Sequence, residues 1–155
     1  MAKSSRVRGK FSAAAIIVFL GAVIFAACHS GPPQISIEGP RAVLSPAIYG
    51  EAMVFMTIKN DGGSDVLNGV STDIPGATAA FHVMEGKRMA HVATVAVRGG
   101  SSTVFKMGSS HIMLEDMPRT MVAGSPFTLT LVFEKSGVKQ LHLKLEKAQM
   151  TMPMP

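Results

Sequence analysis

Cysteine is nearly absent from this sequence of 155 residues, which contains a single one, Cys28. A lone cysteine cannot form a disulfide within the chain, and the lack of a CxxC pair argues against thiol-redox chemistry. Catalytic triads and phosphate-binding glycine loops are missing as well, which argues against hydrolase and nucleotide-dependent functions. We therefore expect a protein that is not an enzyme and whose core forms without disulfides.

Beyond its first ten residues, the chain also has almost no excess of charge of either sign. The whole chain has a formal net charge of +5, but four of its 15 basic residues, Lys3, Arg6, Arg8 and Lys10, lie within the first ten residues. The remainder holds 11 basic against 10 acidic residues, with the two signs interspersed. The basic isoelectric point is therefore no sign of a nucleic-acid partner, and we expect none.

The N-terminal segment has the features of a bacterial export signal. A basic stretch precedes 17 residues without charge, residues 11–27, and Cys28 follows them. Residues 25–28 (FAAC) resemble the lipobox at which bacterial lipoproteins are cut and acylated, although a phenylalanine occupies the position where leucine is preferred. We expect residues 1–27 to be a lipoprotein signal peptide, Cys28 to carry the lipid, and residues 28–33 to be a tether.

Two alternatives to the lipoprotein are an uncleaved N-terminal membrane anchor and an unmodified secreted form, because 17 apolar residues lie between the usual lengths of a signal peptide and a spanning helix. All three place the folded part outside the cytoplasm. The lipoprotein prediction places it at the periplasmic face of a bacterial membrane, held there by the N-terminal lipid.

After the tether the sequence predicts β-structure. Residues 127–131 and 141–145 alternate apolar and polar side chains, which is the two-residue period of a half-buried strand. No window longer than about twelve residues keeps the stripe of an amphipathic helix. The predicted strands cover residues 34–38, 52–59, 66–71, 77–84, 89–97, 102–107, 127–131 and 141–145. We expect an all-β, antiparallel Greek-key sandwich or barrel over residues 34–147, followed by a flexible, methionine-rich tail over residues 148–155.

Histidines and methionines are concentrated in the middle of the chain, at His82, Met84, Met89, His111 and Met113. Residues two apart on a strand point to the same face, so His111 and Met113 present an imidazole and a thioether side by side, as do His82 and Met84. Thioether sulfur is a soft donor and imidazole a borderline one, so a pocket built from both favours Cu(I) over harder divalent ions. The sequence therefore predicts a copper site without a thiolate.

Other histidines and methionines are weaker candidates as ligands. His91 lies two residues from Met89, and the tail methionines Met150, Met152 and Met154 alternate in a way that places three thioethers on one side of an extended chain. We expect Met117 to lie at the apolar rim of the site and His142 to face solvent. We assign the remaining methionines to packing or to the surface. The methionines so assigned are Met53, Met56, Met107 and Met121. The neighbouring acidic residues Glu85, Glu115 and Asp116 are expected to be solvated turn residues.

The spacing of these residues resembles that of a known family. Met89 is followed after 21 residues by His111 and, one residue later, by Met113, which is similar to the latter part of the motif H(M)x10Mx21HxM of the periplasmic copper chaperones called PCu(A)C. The segments FHVM (81–84), HIMLEDM (111–117) and FTLTLVFEKSG (127–137) resemble the family as well. The resemblance covers about residues 34–146.

The resemblance implies a cupredoxin-like fold and a monomeric domain that binds Cu(I) through His82, Met89, His111 and Met113. It also implies delivery of the ion to the copper centres of cytochrome oxidase or to another copper chaperone. The interval from His82 to Met89 is shorter than in the family, so Met84 remains an alternative third ligand. A secondary site for Cu(II) is a further expectation.

Two other classes of function compete with the copper chaperone. One is a metal-independent lipoprotein module for adhesion or assembly, built on the same β-sandwich. The other is a redox cupredoxin, which is disfavoured because such a centre needs a cysteine thiolate with two histidines and Cys28 lies at the expected lipid attachment point. Indifference of the folded domain to copper would distinguish the first alternative.

Overall fold

The computed structural model describes residues 31–148, which form ten β-strands and no helix, so none that could cross a membrane. The expected signal segment, Cys28 and the tail methionines Met150, Met152 and Met154 lie outside the described residues. The strands are β1 (Ile35–Leu44), β2 (Ala52–Asn60), β3 (Asp65–Thr72), β4 (Thr78–Glu85), β5 (Arg88–Val92), β6 (Val95–Val97), β7 (Ser101–Phe105), β8 (His111–Glu115), β9 (Pro126–Phe133) and β10 (Gly137–Glu146). The predicted all-β class is confirmed.

The strands form two layers that are joined along one edge. The first layer has the order β5-β4-β8-β2-β1, and the second has the order β10-β9-β3-β6. In the first layer, β8 and β7 pair with the same edge of β2, β8 with its first half and β7 with its second half. A short parallel pair between β1 and β10 joins the layers. All the other strand pairs are antiparallel, as predicted.

The alternation of β2 and β9 explains why the two layers pack face to face. In β2 every second residue from Ala52 to Ile58 is buried, and in β9 the buried set runs from Phe127 to Phe133. Side chains of both layers meet in one core, to which β8 contributes Ile112 and Leu114. Burying these apolar groups is the main source of stability, at about 25 cal/mol per Å² removed from water.

β1 runs the length of the first layer and fixes its two ends. Ile35 pairs with Asn60 at one end, and Leu44 pairs with Ala52 at the other, with a register shift between Glu38 and Arg41. The parallel pairing of Val43 with Glu146 brings the end of β10 to the same level as the end of β1. The N-terminal and C-terminal ends of the described chain therefore leave the sandwich at different ends.

Asn60 holds the end at which β1 begins. Its side chain is fully buried, and its oxygen accepts hydrogen bonds from the backbone N–H groups of Gln34 and Gly62 at 3.1 and 3.0 Å. Its nitrogen donates to the carbonyl oxygens of Gly63 and Val97 at 2.8 and 3.2 Å. A Cβ at Gly62 would meet the backbone around Pro32 and Gln34, so only glycine fits there. One amide thus joins the chain entry, the β2–β3 loop and β6.

Asp65 holds the β9–β10 turn against the start of β3. One carboxylate oxygen accepts from the N–H groups of Val66 and Lys135, and the other accepts from the N–H and hydroxyl of Ser136 at 2.9 and 2.6 Å. Burial by itself would raise the pKa of this carboxyl, but the hydrogen bonds from Ser136, Lys135 and Val66 outweigh it and lower the pKa below the ordinary 3.8. The ionised form is therefore part of the folded structure.

Two expectations about local structure are wrong. Residues 89–97 do not form one strand, because β5 ends at Val92 and β6 begins at Val95 in the other layer, paired with β3. Met117 does not lie at the rim of the His/Met cluster but in the hydrophobic core. The reason is Asp116, whose φ of +57° ends the strand alternation and turns the next side chain inward.

The buried amide gives a first prediction. Asn60→Ala leaves two N–H groups and two carbonyls without their partner, and we expect it to lower the free energy of unfolding by about 2–4 kcal/mol. Urea unfolding at pH 7 measures the change. The matched control is Asn68→Ala at an exposed position of β3, expected to change stability by less than about 0.5 kcal/mol. Equal unfolding midpoints for the two variants would contradict the role of Asn60.

The hydrogen-bonded carboxylate of Asp65 makes the stability of the fold depend on pH. The pKa of Asp65 is lower in the folded state than the ordinary 3.8. Its contribution to the free energy of unfolding is therefore fully present above pH 3.8 and is lost as the pH falls through the pKa of the folded state. Asp65→Asn places an amide against N–H donors and should cost about 2–3 kcal/mol at pH 7. The stability difference from wild type should shrink as the pH falls below 3.8. Asp61→Asn, which removes only a surface ion pair with Lys59, is the control with a near-zero effect at both pH values.

Candidate metal centre

The β4–β5 hairpin determines which side chains of the two strands lie opposite each other. Gly86 has a φ of +64°, and the two-residue turn Gly86-Lys87 connects Glu85 to its pairing partner Arg88. A glycine at the first central position suits the type II′ turn that tight hairpins prefer. Counting outward from this turn, Met84 pairs with Met89 and His82 pairs with His91.

β8 lies on the other side of β4 and adds a third imidazole. His82 pairs with His111, and Ala80 pairs with Met113. The intervening residues Phe81 and Ile112 are buried in the core. By strand alternation, the histidines and methionines therefore share the opposite face of this layer, which points away from the core. We call His82, Met84, Met89, His91, His111 and Met113 the His/Met face.

The three imidazoles form a row across β5, β4 and β8. The ring centre of His82 lies 5.8 Å from that of His91 and 5.4 Å from that of His111, and both contacts are edge-to-face. The ring of Phe55 in β2 lies 6.4 Å beyond His111 and ends the row. His82 is half-buried and His91 is exposed, whereas His111 is only 8% exposed.

The tautomer of His111 is fixed by a backbone contact. Its Nδ1 lies 2.9 Å from the carbonyl oxygen of Ser109, which can only accept, so Nδ1 is the donor. In the neutral ring this leaves the lone pair on Nε2. Metal-binding histidines commonly have this arrangement, in which one ring nitrogen donates to a carbonyl and the other is left for the ion.

The environment of His82 favours its neutral imidazole, which is the form that binds metal ions. Burial lowers the pKa of its imidazole below the ordinary 6.5, and nearby His111 and His91 lower it further, while the carboxylate of Glu115 acts in the opposite direction. The ring is therefore neutral at pH 7. A neutral imidazole has a free lone pair and does not have to release a proton before it binds a metal ion.

The thioethers lie on either side of the histidine row. Met84 and Met89 lie toward the tip of the hairpin and are 37% and 42% exposed. Met113 lies on the other side of the row and is only 9% exposed, although its face points away from the core. The structure thus offers two accessible thioethers and a covered one, separated by imidazoles.

Strand pairing places two further residues beside the expected ligands. His91 is a direct neighbour of His82, and the turn at Gly86-Lys87 is the signal that could have revealed this pairing. Met53, which we assigned to packing or to the surface, is half-buried and is the pairing partner of Met113. Met56 lies in the core and Met107 and His142 are exposed, as expected.

One acidic side chain, Glu115, shares the outward face of β8 with His111 and Met113 by strand alternation. It is half-buried within the strand and is not the solvated turn residue that was expected, whereas Glu85 and Asp116 are exposed, as expected. Within residues 31–148, no three histidine, cysteine or carboxylate groups surround a common point in their present conformations. A site on this face would therefore depend on thioethers or on rotation of the rings.

An apolar cavity lies elsewhere. It has a volume of about 290 Å³ and is bounded by the β1–β2 loop and the loop before β9, with Tyr49, Met117 and Met121 among its walls. The hydroxyl of Tyr49 donates to the carbonyl oxygen of Arg119 at 3.0 Å. None of its lining residues belongs to the His/Met face, so the cavity is separate from the candidate metal centre.

A comparison with models of protein families matches residues 35–145 to the family described as "Putative lipoprotein LpqE-like". The chain belongs to the LpqE-like family. The match covers all the strands except the last residue of β10. A comparison with curated proteins finds no match to this LpqE-like chain.

Solved structures with the same fold are PCuAC domains. The copper-bound PCuAC domain from PmoF2 is 24% identical with a TM-score of 0.63, over 76% of this chain and 97% of that one. The apo PCuAC domain from PmoF1 is 23% identical with a TM-score of 0.65, over 76% and 98%. CuI-DR1885 from Deinococcus radiodurans is 14% identical with a TM-score of 0.64, over 77% and 83%. The resemblance to the PCu(A)C family and its fold, predicted from the sequence, is confirmed.

Proposed function

We propose that this protein is an extracytoplasmic copper chaperone that binds Cu(I) on the His/Met face and passes it to an acceptor. The observation that carries the proposal is the pairing of His82 with His111, which brings two histidine–x–methionine segments together on one exposed face. Structures of similar fold include a copper-bound PCuAC domain and a CuI-bound protein, which supports copper as the cargo.

The ligand chemistry fits a cargo that must be released again. Imidazole and thioether ligands are neutral, so the ion keeps its single positive charge in the site. Thioethers do not compete with protons and do not form disulfides outside the cytoplasm, in contrast to thiolates. Such a site holds Cu(I) without cysteine and can give it up to an acceptor with stronger, thiolate ligands.

The proposed ligands are His82, His111, Met113 and Met89. His111 offers Nε2 because Nδ1 donates to Ser109, and Met113 lies two residues further along the same strand. Met89 is accessible at the base of the hairpin turn, with Met84 beside it as the alternative. Binding and releasing the ion requires no general acid or base, as expected of a carrier.

The setting proposed from the sequence is a lipid-anchored protein at the periplasmic face of a bacterial membrane, attached through Cys28. The match to a family described as a lipoprotein supports it. The acceptor would be another copper protein, such as a copper-binding subunit of cytochrome oxidase or a second copper chaperone. The metal-independent adhesion or assembly module remains the alternative outcome of the test below.

Replacement of the β8 ligands should abolish Cu(I) binding. We expect His111→Ala combined with Met113→Leu to lose stoichiometric Cu(I), because one imidazole and the covered thioether are removed together. Competition with a chromophoric Cu(I) chelator under anaerobic conditions measures the affinity. The control is His142→Gln combined with Met107→Leu, which changes the same residue types at exposed positions away from the face. A double variant at 111 and 113 that binds as wild type does would favour the metal-independent module.

The hairpin methionines can be distinguished by single substitutions. If Met89 is the ligand, Met89→Leu should weaken Cu(I) binding by at least about tenfold, equivalent to about 1.4 kcal/mol, while Met84→Leu should change it by less than about threefold. Both side chains are exposed, so neither substitution should affect folding. Sulfur coordination numbers from X-ray absorption provide the second readout. The reverse ranking of the two variants would assign the role to Met84.

A further inference from the structure

Exposed hydrophobic side chains gather around the apolar cavity beside Tyr49. Ile48, Tyr49 and Val122 line this cavity, and all three are exposed, Tyr49 with 68% of its surface open to water. Within residues 31–148 the other exposed large hydrophobic residues are spread over several strands. Apolar side chains that are grouped around a cavity and left in contact with water are typical of a binding surface.

The end of β10 leads the chain directly to this cavity. Glu146 closes β10 in its parallel pairing with Val43, and the next residue, Lys147, is part of the cavity wall. Residues 149–155 follow at once in the sequence. At about 3.3 Å per residue, an extended segment of this length reaches about 23 Å, enough to cross the cavity. A segment tethered so closely has an effective concentration on the order of millimolar at the cavity.

The composition of residues 149–155 complements the cavity. The segment has no charged residue, and its methionines Met150, Met152 and Met154 alternate, which in an extended chain puts three thioethers on one side. Met152 and Met154 each precede a proline, and a following proline favours extended backbone. Methionine is unbranched and adapts to irregular apolar spaces, and its sulfur makes favourable contacts with aromatic rings such as that of Tyr49.

We propose that residues 149–155 bind in this cavity as an extended segment, with the methionine side chains against Ile48, Tyr49 and Val122. Docking removes apolar surface of both partners from water, and the two prolines reduce the conformational freedom that the segment loses. The segment that was expected from the sequence to be flexible is then held on the domain and covers Tyr49. No metal takes part, so the inference does not depend on the proposed function.

Tyr49 is the only tyrosine of the chain, so it gives a direct readout of the cavity. Full-length protein labelled with fluorotyrosine, held in lipid nanodiscs with EDTA, has one fluorine NMR resonance. Deletion of residues 149–155 should shift this resonance and increase its relaxation by a soluble paramagnetic agent, because the ring becomes uncovered. The deletion leaves residues 35–145, which match the family, intact, so we expect the variant to fold.

Substitutions separate burial of apolar surface from the loss of the segment itself. Met150→Ser, Met152→Ser and Met154→Ser combined should reproduce the effect of the deletion at unchanged chain length. The corresponding triple change to leucine should keep the wild-type resonance, because apolar burial does not require a thioether. The control is Val138→Ser, which removes an exposed apolar side chain that does not line the cavity and should change nothing.

Three results would overturn the inference. The first is a resonance that the deletion leaves unchanged. The second is a shift that disappears on dilution, which would assign the contact to a second copy of the chain. The third is a leucine variant that behaves as the serine variant does, which would exclude apolar burial as the cause. All samples are free of copper, so failure of Cu(I) binding on the His/Met face would leave the outcome unaffected.

Discussion

The register of β4 against β8 is the constraint on which the rest of the candidate site depends. Because His82 pairs with His111, imidazoles and thioethers of both strands face outward together, while Phe81 and Ile112 face the core. A shift of one residue would exchange these sets, burying histidine and exposing aromatic and aliphatic side chains. The packing of the hydrophobic core therefore stabilises the arrangement of the candidate ligands, although none of them belongs to the main cluster of core residues.

The polar side chains of this protein divide into two groups with different roles. Asn60 and Asp65 are buried and fully hydrogen-bonded, and each joins segments that are distant in sequence. Within residues 31–148 every buried polar side-chain atom has a hydrogen-bond partner. The histidine row is different, since its rings lie near one another with lone pairs available. The first group thus adds to the stability that the apolar core provides, and the second group contains the candidate metal ligands.

Strand alternation and the spacing of Met89, His111 and Met113 were enough to predict the fold class and the shared face of each histidine–x–methionine segment. Alternation alone does not identify cross-strand neighbours, because they depend on which two residues form the hairpin turn. Once Gly86 is known to open a two-residue turn, the pairing of His82 with His91 follows by counting. The break after Val92 was missed for a related reason, since an apolar run does not reveal which layer each half joins.

The way the chain enters the sandwich gives the protein an orientation. β1 begins beside Asn60 and extends about 25 Å before it reaches the level of Met53 and the histidines. A lipid attached ahead of Gln34 would hold the domain by the end remote from its ligands. The His/Met face of a domain anchored in this way would then point toward the aqueous compartment, with the bilayer behind it.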